Sequence, residues 1–406
     1  MPVGTNIFKL NAGLRGMSMI NMDSRYEMNG KLYFDPRINA EWSFPGIEIK
    51  KKNLNISVSG GIGWHTKFPT LDQIYPDYTY RDEMRLNYYL EGFPESSYVV
   101  YETFKTKTVN YNLEPARNKK WEIRLNVEYD NNTLSVTYFK ENMANGFRSQ
   151  VMNFRSKSVR KYNSDINSLV IDPITNRPDW ELSEYQLLDK LYMNSATGNG
   201  TSLIKEGIEF TLSTKRLEYL KTRLTATGAW FKTKYLNSAP EYKGTSKSTN
   251  GEPIQEIGVY DSSGGYYREE FNTRFMFDTY IPSIGFEFSS TFQCQWFYIE
   301  QTLPVTRYPY AYIDKYGVQH PYTQASKEDP VLQFLNRESN PGAFKKGRIP
   351  FGMDINLKAS KKIKDIMRIS LFVNKLLDYY PKYKVNGVVI KRNVSPYFGM
   401  EMTFTL

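Results

Sequence analysis

Cysteine and histidine are nearly missing from this chain: Cys294, His65 and His320 are the only ones among 406 residues. A disulfide framework needs paired cysteines, and a zinc centre needs three or four Cys or His ligands, so neither can be assembled within the chain. Long hydrophobic runs are missing too. No stretch of about eighteen apolar residues is available to cross a bilayer as a helix, and the mean hydropathy is −0.56. Residues 1–21 lack the charged, hydrophobic and small-residue succession of a secretory signal. The formal net charge is +10, but the 53 Lys and Arg are scattered among 43 Asp and Glu rather than gathered into one basic run. Nucleic acid is therefore not an expected partner.

Aromatic residues are plentiful: 32 Tyr, 24 Phe and 6 Trp. Many lie in segments of strict apolar/polar alternation, the period of a strand with two unlike faces. The pattern predicts twelve strands, at 5–21, 32–44, 52–66, 118–129, 132–150, 203–214, 220–233, 266–280, 283–298, 346–359, 367–376 and 395–406. It is cleanest where Leu54, Ile56 and Val58 alternate with Asn55, Ser57 and Ser59, and where Ile123, Leu125 and Val127 alternate with Glu122, Arg124 and Asn126. Phe286, Phe288 and Phe292 likewise alternate with Glu287, Ser289 and Gln293, and Met400, Met402 and Phe404 with Glu401, Thr403 and Thr405.

The links between these strands alternate in length. Those at 45–51, 130–131, 215–219, 281–282 and 360–366 are brief, and those at 22–31, 67–117, 151–202, 234–265, 299–345 and 377–394 are long. Short turns at one rim and long loops at the other are how an antiparallel transmembrane β-barrel is built. Such a barrel hides its hydrophobicity in every second residue, which reconciles a polar average with a lipid-facing belt. The charged positions would then line a polar interior. Trp42, Trp64, Trp121, Trp230 and Trp296 fall near strand ends, where interfacial girdles lie. Because alternation begins at once, the chain is expected to be the C-terminal part of a longer protein.

Long loops are where a ligand would first be met. Loop 67–117 carries Tyr75, Tyr78, Tyr80, Arg81 and Tyr88, and loop 299–345 carries Tyr310, Tyr312 and His320. Aromatic faces with hydrogen-bonding groups among them suit capture of a sugar, peptide or chelate from water. His65 shares strand parity with Ser57 and Ser59, but that parity faces the interior and no orienting acid sits at a suitable strand position. An enzyme is therefore not expected, and neither is a cofactor or a metal.

Four segments carry a family resemblance. GIGWHTKFPTLDQIY at 61–75, NLEPARNKKWEIRLN at 112–126, FVNKLLDYYP at 372–381 and the ending YFGMEMTFTL resemble, in order and spacing, the C-terminal barrel of TonB-dependent outer-membrane receptors, of the Bacteroidetes type that includes SusC-like proteins. Ala116 and Leu406 depart from the family pattern, which often has an acidic and an aromatic residue there. The resemblance implies that 1–406 is a partial receptor barrel, about twelve of a probable twenty-two strands, with the plug domain and first strands absent. It implies residence in the outer membrane, contact with its lipid, and insertion by the barrel-insertion machinery through Gly399, Phe404 and Leu406. It further implies uptake of a small scarce nutrient (a glycan, peptide, siderophore or cobalamin), coupling to the TonB complex through the plug, and a surface lipoprotein partner. Two other readings fit the alternation: a self-contained twelve-stranded porin-like or autotransporter-like barrel, and a soluble all-β carbohydrate-binding protein.

Overall fold

The computed structural model describes every residue except 1, 4, 90, 92–96, 164, 176, 262, 339, 365, 386, 405 and 406. Twelve long strands follow one another: β1 (Ile7–Met17), β2 (Tyr33–Ser43), β3 (Lys52–Lys67), β4 (Ala116–Tyr129), β5 (Asn132–Tyr162), β6 (Tyr185–Ser213), β7 (Thr222–Asn237), β8 (Gly265–Ile281), β9 (Phe286–Thr302), β10 (Gly352–Ile363), β11 (Met367–Tyr379) and β12 (Tyr397–Phe404). Each pairs antiparallel with the next, so a single large sheet follows the chain without crossovers. Short strands Pro2–Val3, Gly46–Ile49 and Gly347–Ile349 join the same sheet. Among the described residues no ladder links β1 to β12, and each has a partner on one side only.

The register sorts side chains onto two faces, because directly paired residues of an antiparallel ladder point the same way. Trp42 pairs with Val58, Val58 with Leu125, Leu125 with Val136 and Val136 with Phe210. Farther along, Phe275 pairs with Phe292, Phe292 with Ile355, and Leu371 with Met400. These residues form one apolar face across the sheet. The opposite face carries Glu41, Ser59, Arg124 and Thr137 in one ladder row, and Arg274, Gln293, Asp354 and Asp378 in another.

Polar groups on that second face satisfy one another across strands. Ser135 Oγ donates to Asn126 at 2.8 Å, and Asn126 Nδ2 donates to Ser57 at 3.2 Å. Arg368 pairs with Glu287 at 2.7 Å and Lys358 with Glu401 at 3.0 Å. The apolar face has no such covering. Phe8, Leu371 and Phe404 are 65%, 57% and 61% exposed. The buried apolar clusters form instead around Tyr26 and Met28, around Ile257 and Val259, and around Leu86 and Tyr162, away from this face. A soluble sandwich needs a second layer over its apolar face. Among the described residues nothing supplies one.

Turn chemistry fits the short rim. Asp130 and Asn131 both have positive φ, 50° and 62°, the conformation of a two-residue type I′ hairpin. The Lys215 ammonium, then that of Lys52, holds the Asp130 carboxyl below the usual carboxylate range. The brief link at 45–51 is tighter than the sequence suggests: Gly46–Ile49 is a strand, and Lys50 and Lys51, with φ of 49° and 64°, make the turn.

The largest departure concerns 151–202, expected as a loop. There β5 and β6 stay paired as far as Tyr162 and Tyr185, leaving 163–184 as the connection. Beyond the apolar belt neither face of the pair turns toward a uniform apolar medium, so pairing continues while alternation stops. Loop 67–117 also holds a hairpin, Thr79–Tyr88 with Tyr98–Thr106. Loops 234–265 and 299–345 jointly build a small sheet from Glu241–Gly244, Ile257–Tyr260, Ala311–Ile313 and Gln319–Pro321.

Candidate functional site

The extended ends of β5 and β6 form a spine on which the loops assemble. Alternate residues of β6 serve opposite sides. On one side, Lys190 Nζ pairs with Glu83 at 2.6 Å and Lys157 Nζ with Glu102 at 3.3 Å, docking the Thr79–Thr106 hairpin. Arg81 lies over the Tyr192 ring at 4.8 Å and donates to the Met193 carbonyl at 3.4 Å. A cavity of about 250 Å³ opens there among Arg81, Lys105, Arg155, Lys157, Phe104 and Tyr192. Burial and the Glu83 carboxylate push the Tyr192 phenol well above its ordinary value.

On the other side of the spine, Phe154, Leu191, Met193 and Tyr242 pack against Ile257, Val259, Ala311 and Ile313 of the small sheet. Tyr260, buried at the end of one strand of that sheet, donates its hydroxyl to the Leu335 carbonyl and lies under Arg337 at 3.6 Å. Arg337 in turn pairs with Glu241 at 2.8 Å, tying 299–345 to 234–265.

The residues chosen from sequence fall into separate groups. Tyr75 caps the turn Leu71–Ile74 and meets Tyr26 edge-on at 5.7 Å. Tyr78 and Tyr80 stand under Lys105 at 4.0 and 5.8 Å, and Tyr88 packs on the Leu86–Tyr162 cluster. Tyr310 gives its backbone N–H to Val259 and leaves its ring partly exposed. Tyr312 stacks on His320 at 5.2 Å, and His320 Nε2 bonds Asp314 at 2.8 Å. Burial raises the Asp314 carboxyl, but the His320 bond and the Val318 and Tyr316 amides outweigh it, and the net shift is downward. Arg81 and Tyr88 thus belong to the hairpin side of the spine and Tyr312 and His320 to the sheet on the other. They do not form one shared surface.

Among the proposed insertion residues, Gly399 faces the polar side beneath the Phe372 ring, and Phe404 lies exposed on the apolar face. Leu406 lies outside the described residues. His65 accepts from Arg15 Nη2 at 2.8 Å, while Ser57 is engaged by Asn126. Arg15 also pairs at 2.8 Å with buried Asp35, which accepts from the Thr66 hydroxyl and amide as well. That cluster pins β1, β2 and β3 together.

Sequence reading missed a second recess, on the polar face itself. A cavity of about 600 Å³ spans β6 to β10, bounded by Glu209, Arg274, Asn272, Gln293, Asp354 and Tyr380. Parity places each of the strand residues inward, but only the register of five strands shows that they are neighbours.

The fold is thus that of an all-β protein: one large antiparallel meander with an apolar and a polar face. No protein-family model matches the chain, and no curated protein matches it. Among solved structures it is similar to the beta domain of the Bordetella autotransporter Brka, at 7% identity over 92% of this chain and 91% of that one, with a TM-score of 0.19. It is also similar to a mutant of the ferric enterobactin receptor PfeA from Pseudomonas aeruginosa, at 8% identity over 91% of this chain and 53% of that one, with a TM-score of 0.20. A PfeA complex with BCV-L6 gives 8% identity, 91% and 54% coverage and a TM-score of 0.21. The chain spans about half the length of the two receptor structures. The fold assignment rests on the ladders and faces described above.

Proposed function

We propose that the chain is part of an outer-membrane β-barrel receptor that takes up a scarce small nutrient. The observation that carries this reading is the uncovered apolar face running through all twelve long strands, backed by a charged face and crowned at one rim by folded loops. Only lipid can cover such a face without a second protein layer, and only a closed strand cylinder satisfies its backbone there. Further strands pairing with β1 and β12 would close it. The loop aromatics and the polar-face cavity then lie along one route from outside to interior.

The finer reading is a TonB-dependent receptor of the Bacteroidetes type, energised through a plug domain, inserted by the barrel-insertion machinery and served by a surface lipoprotein. Its polar face is a binding surface, with no reaction assigned to it. Fractionation and growth test the proposal together. The gene product is expected in the outer-membrane fraction, released only by detergent, and its deletion should abolish growth on one scarce nutrient while sparing others. Recovery in the soluble fraction without detergent would overturn the membrane reading. Unchanged growth on every nutrient tried, with the protein in the membrane, would overturn uptake alone.

A further inference from the structure

Within the polar-face cavity, Asp354 is in an unusual position. Its side chain lines the cavity yet is only 9% exposed. Tyr380 donates its hydroxyl to Oδ2 at 2.6 Å, while Oδ1 has neither a partner nor contact with solvent. A desolvated anionic oxygen left without a donor is costly, and native structures keep such groups mainly where something else completes them.

The surroundings say what that something is. Asp378 stands directly opposite Asp354 in the β10–β11 ladder, so two like charges share one side of one pairing. Among the cavity's described lining residues Glu209 is the other carboxylate, and Arg274 is the one cation. Arg392 is near, but it lies over the Tyr380 ring at 5.2 Å and leaves Oδ1 unpartnered. Asn272 and Gln293 supply neutral amides between the charged ends. At about 600 Å³ the space suits a small organic ligand rather than a bare ion.

We propose that this cavity is a subsite for a ligand bearing an ammonium or guanidinium group, which Asp354 holds, with Asp378 across the ladder adding to the negative charge, while Tyr380 turns aside from Oδ2. A cation with its own N–H donors answers both deficits at once: the missing hydrogen bond and the unbalanced charge. A neutral sugar answers only the first, and a phosphate or carboxylate answers neither. The inference names the substrate class of the proposed receptor and rests on that reading, since it takes the polar face as an interior.

The probe is trilysine, titrated by calorimetry into the full chain in detergent micelles, with fully acetylated trilysine and maltotriose as comparisons. Trilysine is expected to bind, acetylated trilysine and maltotriose at least tenfold more weakly. Asp354→Asn, which keeps shape and the Tyr380 contact, should weaken trilysine at least tenfold, and Arg274→Gln should tighten it several-fold by removing the competing cation. Absence of trilysine binding, equal binding of the acetylated peptide, or unchanged affinity in Asp354→Asn would each overturn the proposal. A chain that stays soluble without detergent would instead overturn the barrel reading.

Discussion

Arginine at Phe292 should all but remove the protein from the outer membrane, whereas arginine at the next residue, Gln293, should leave its level nearly unchanged. Phe292 lies within the apolar face, paired with Phe275 and Ile355 and meeting Phe277 edge-on at 5.7 Å. A guanidinium there would point into hydrocarbon, at about 2 to 4 kcal/mol near the bilayer midplane. Gln293 points the other way, between Arg274 and Asp354, where a charge meets water and carboxylates. The two variants carry the same added charge one position apart, so net charge and helix or strand propensity cancel in the comparison. Quantitative blotting of outer-membrane fractions reads the result. Equal levels would mean that the faces are misassigned.

Gly399→Val is expected to be the other severe change. A Cβ at this glycine would run into the Phe372 ring, which folds over it across the β11–β12 ladder and would have to be displaced. Overpacking of this kind costs about 1 to 3 kcal/mol, and among the described residues β12 has no ladder on its other side to absorb it. The last strand should therefore become protease-sensitive, as limited proteolysis would read. Phe372→Ala in the same chain should restore protection, because it removes the clashing ring. If Gly399→Val alone behaves as wild type, close packing of Phe372 on Gly399 is wrong. If the double variant is no better than the single one, Gly399 acts through something other than this ring.

Much of the sheet was legible in the sequence because strands with one apolar and one polar face obey a rule of period two. Leu54 to Val58 and Ile123 to Val127 fall where alternation put them, and all twelve expected strands are present in the sheet. Legibility ended where the environment stopped being two-sided. Arg155 and Lys157 lie in an unbroken stretch of the β5–β6 ladder, yet nothing in their pattern distinguishes it from a loop, because loops pack on both sides of the spine and the ladder slips register three times between this stretch and the alternating part. At Trp296 the β8–β9 register slips by one residue. Trp296 nevertheless stacks on Phe271 at 6.0 Å, so it keeps the expected face through a bulge that alternation alone does not reveal.

The candidate site was less legible. Tyr312 and His320 were visible as loop aromatics, but their stacking and the bond to Asp314 come from a short hairpin within one loop, where Tyr312 pairs directly with His320, and that hairpin carries no alternation to announce it. The polar-face cavity was invisible for another reason. Glu209, Arg274 and Asp354 come from three strands separated by up to 145 positions in the chain, and only ladder register makes them one wall.

The central claim, that one face of this sheet meets lipid and the other water, is tested most directly by single spin labels placed in turn from Phe286 to Gln295 in a Cys294→Ser background. The account predicts a period of two: labels at Phe286, Phe288 and Phe292 should be accessible to dissolved oxygen and shielded from a water-soluble nickel reagent, with the reverse at Glu287, Ser289 and Gln293. Equal access of the nickel reagent at Phe288 and Gln293 would contradict it.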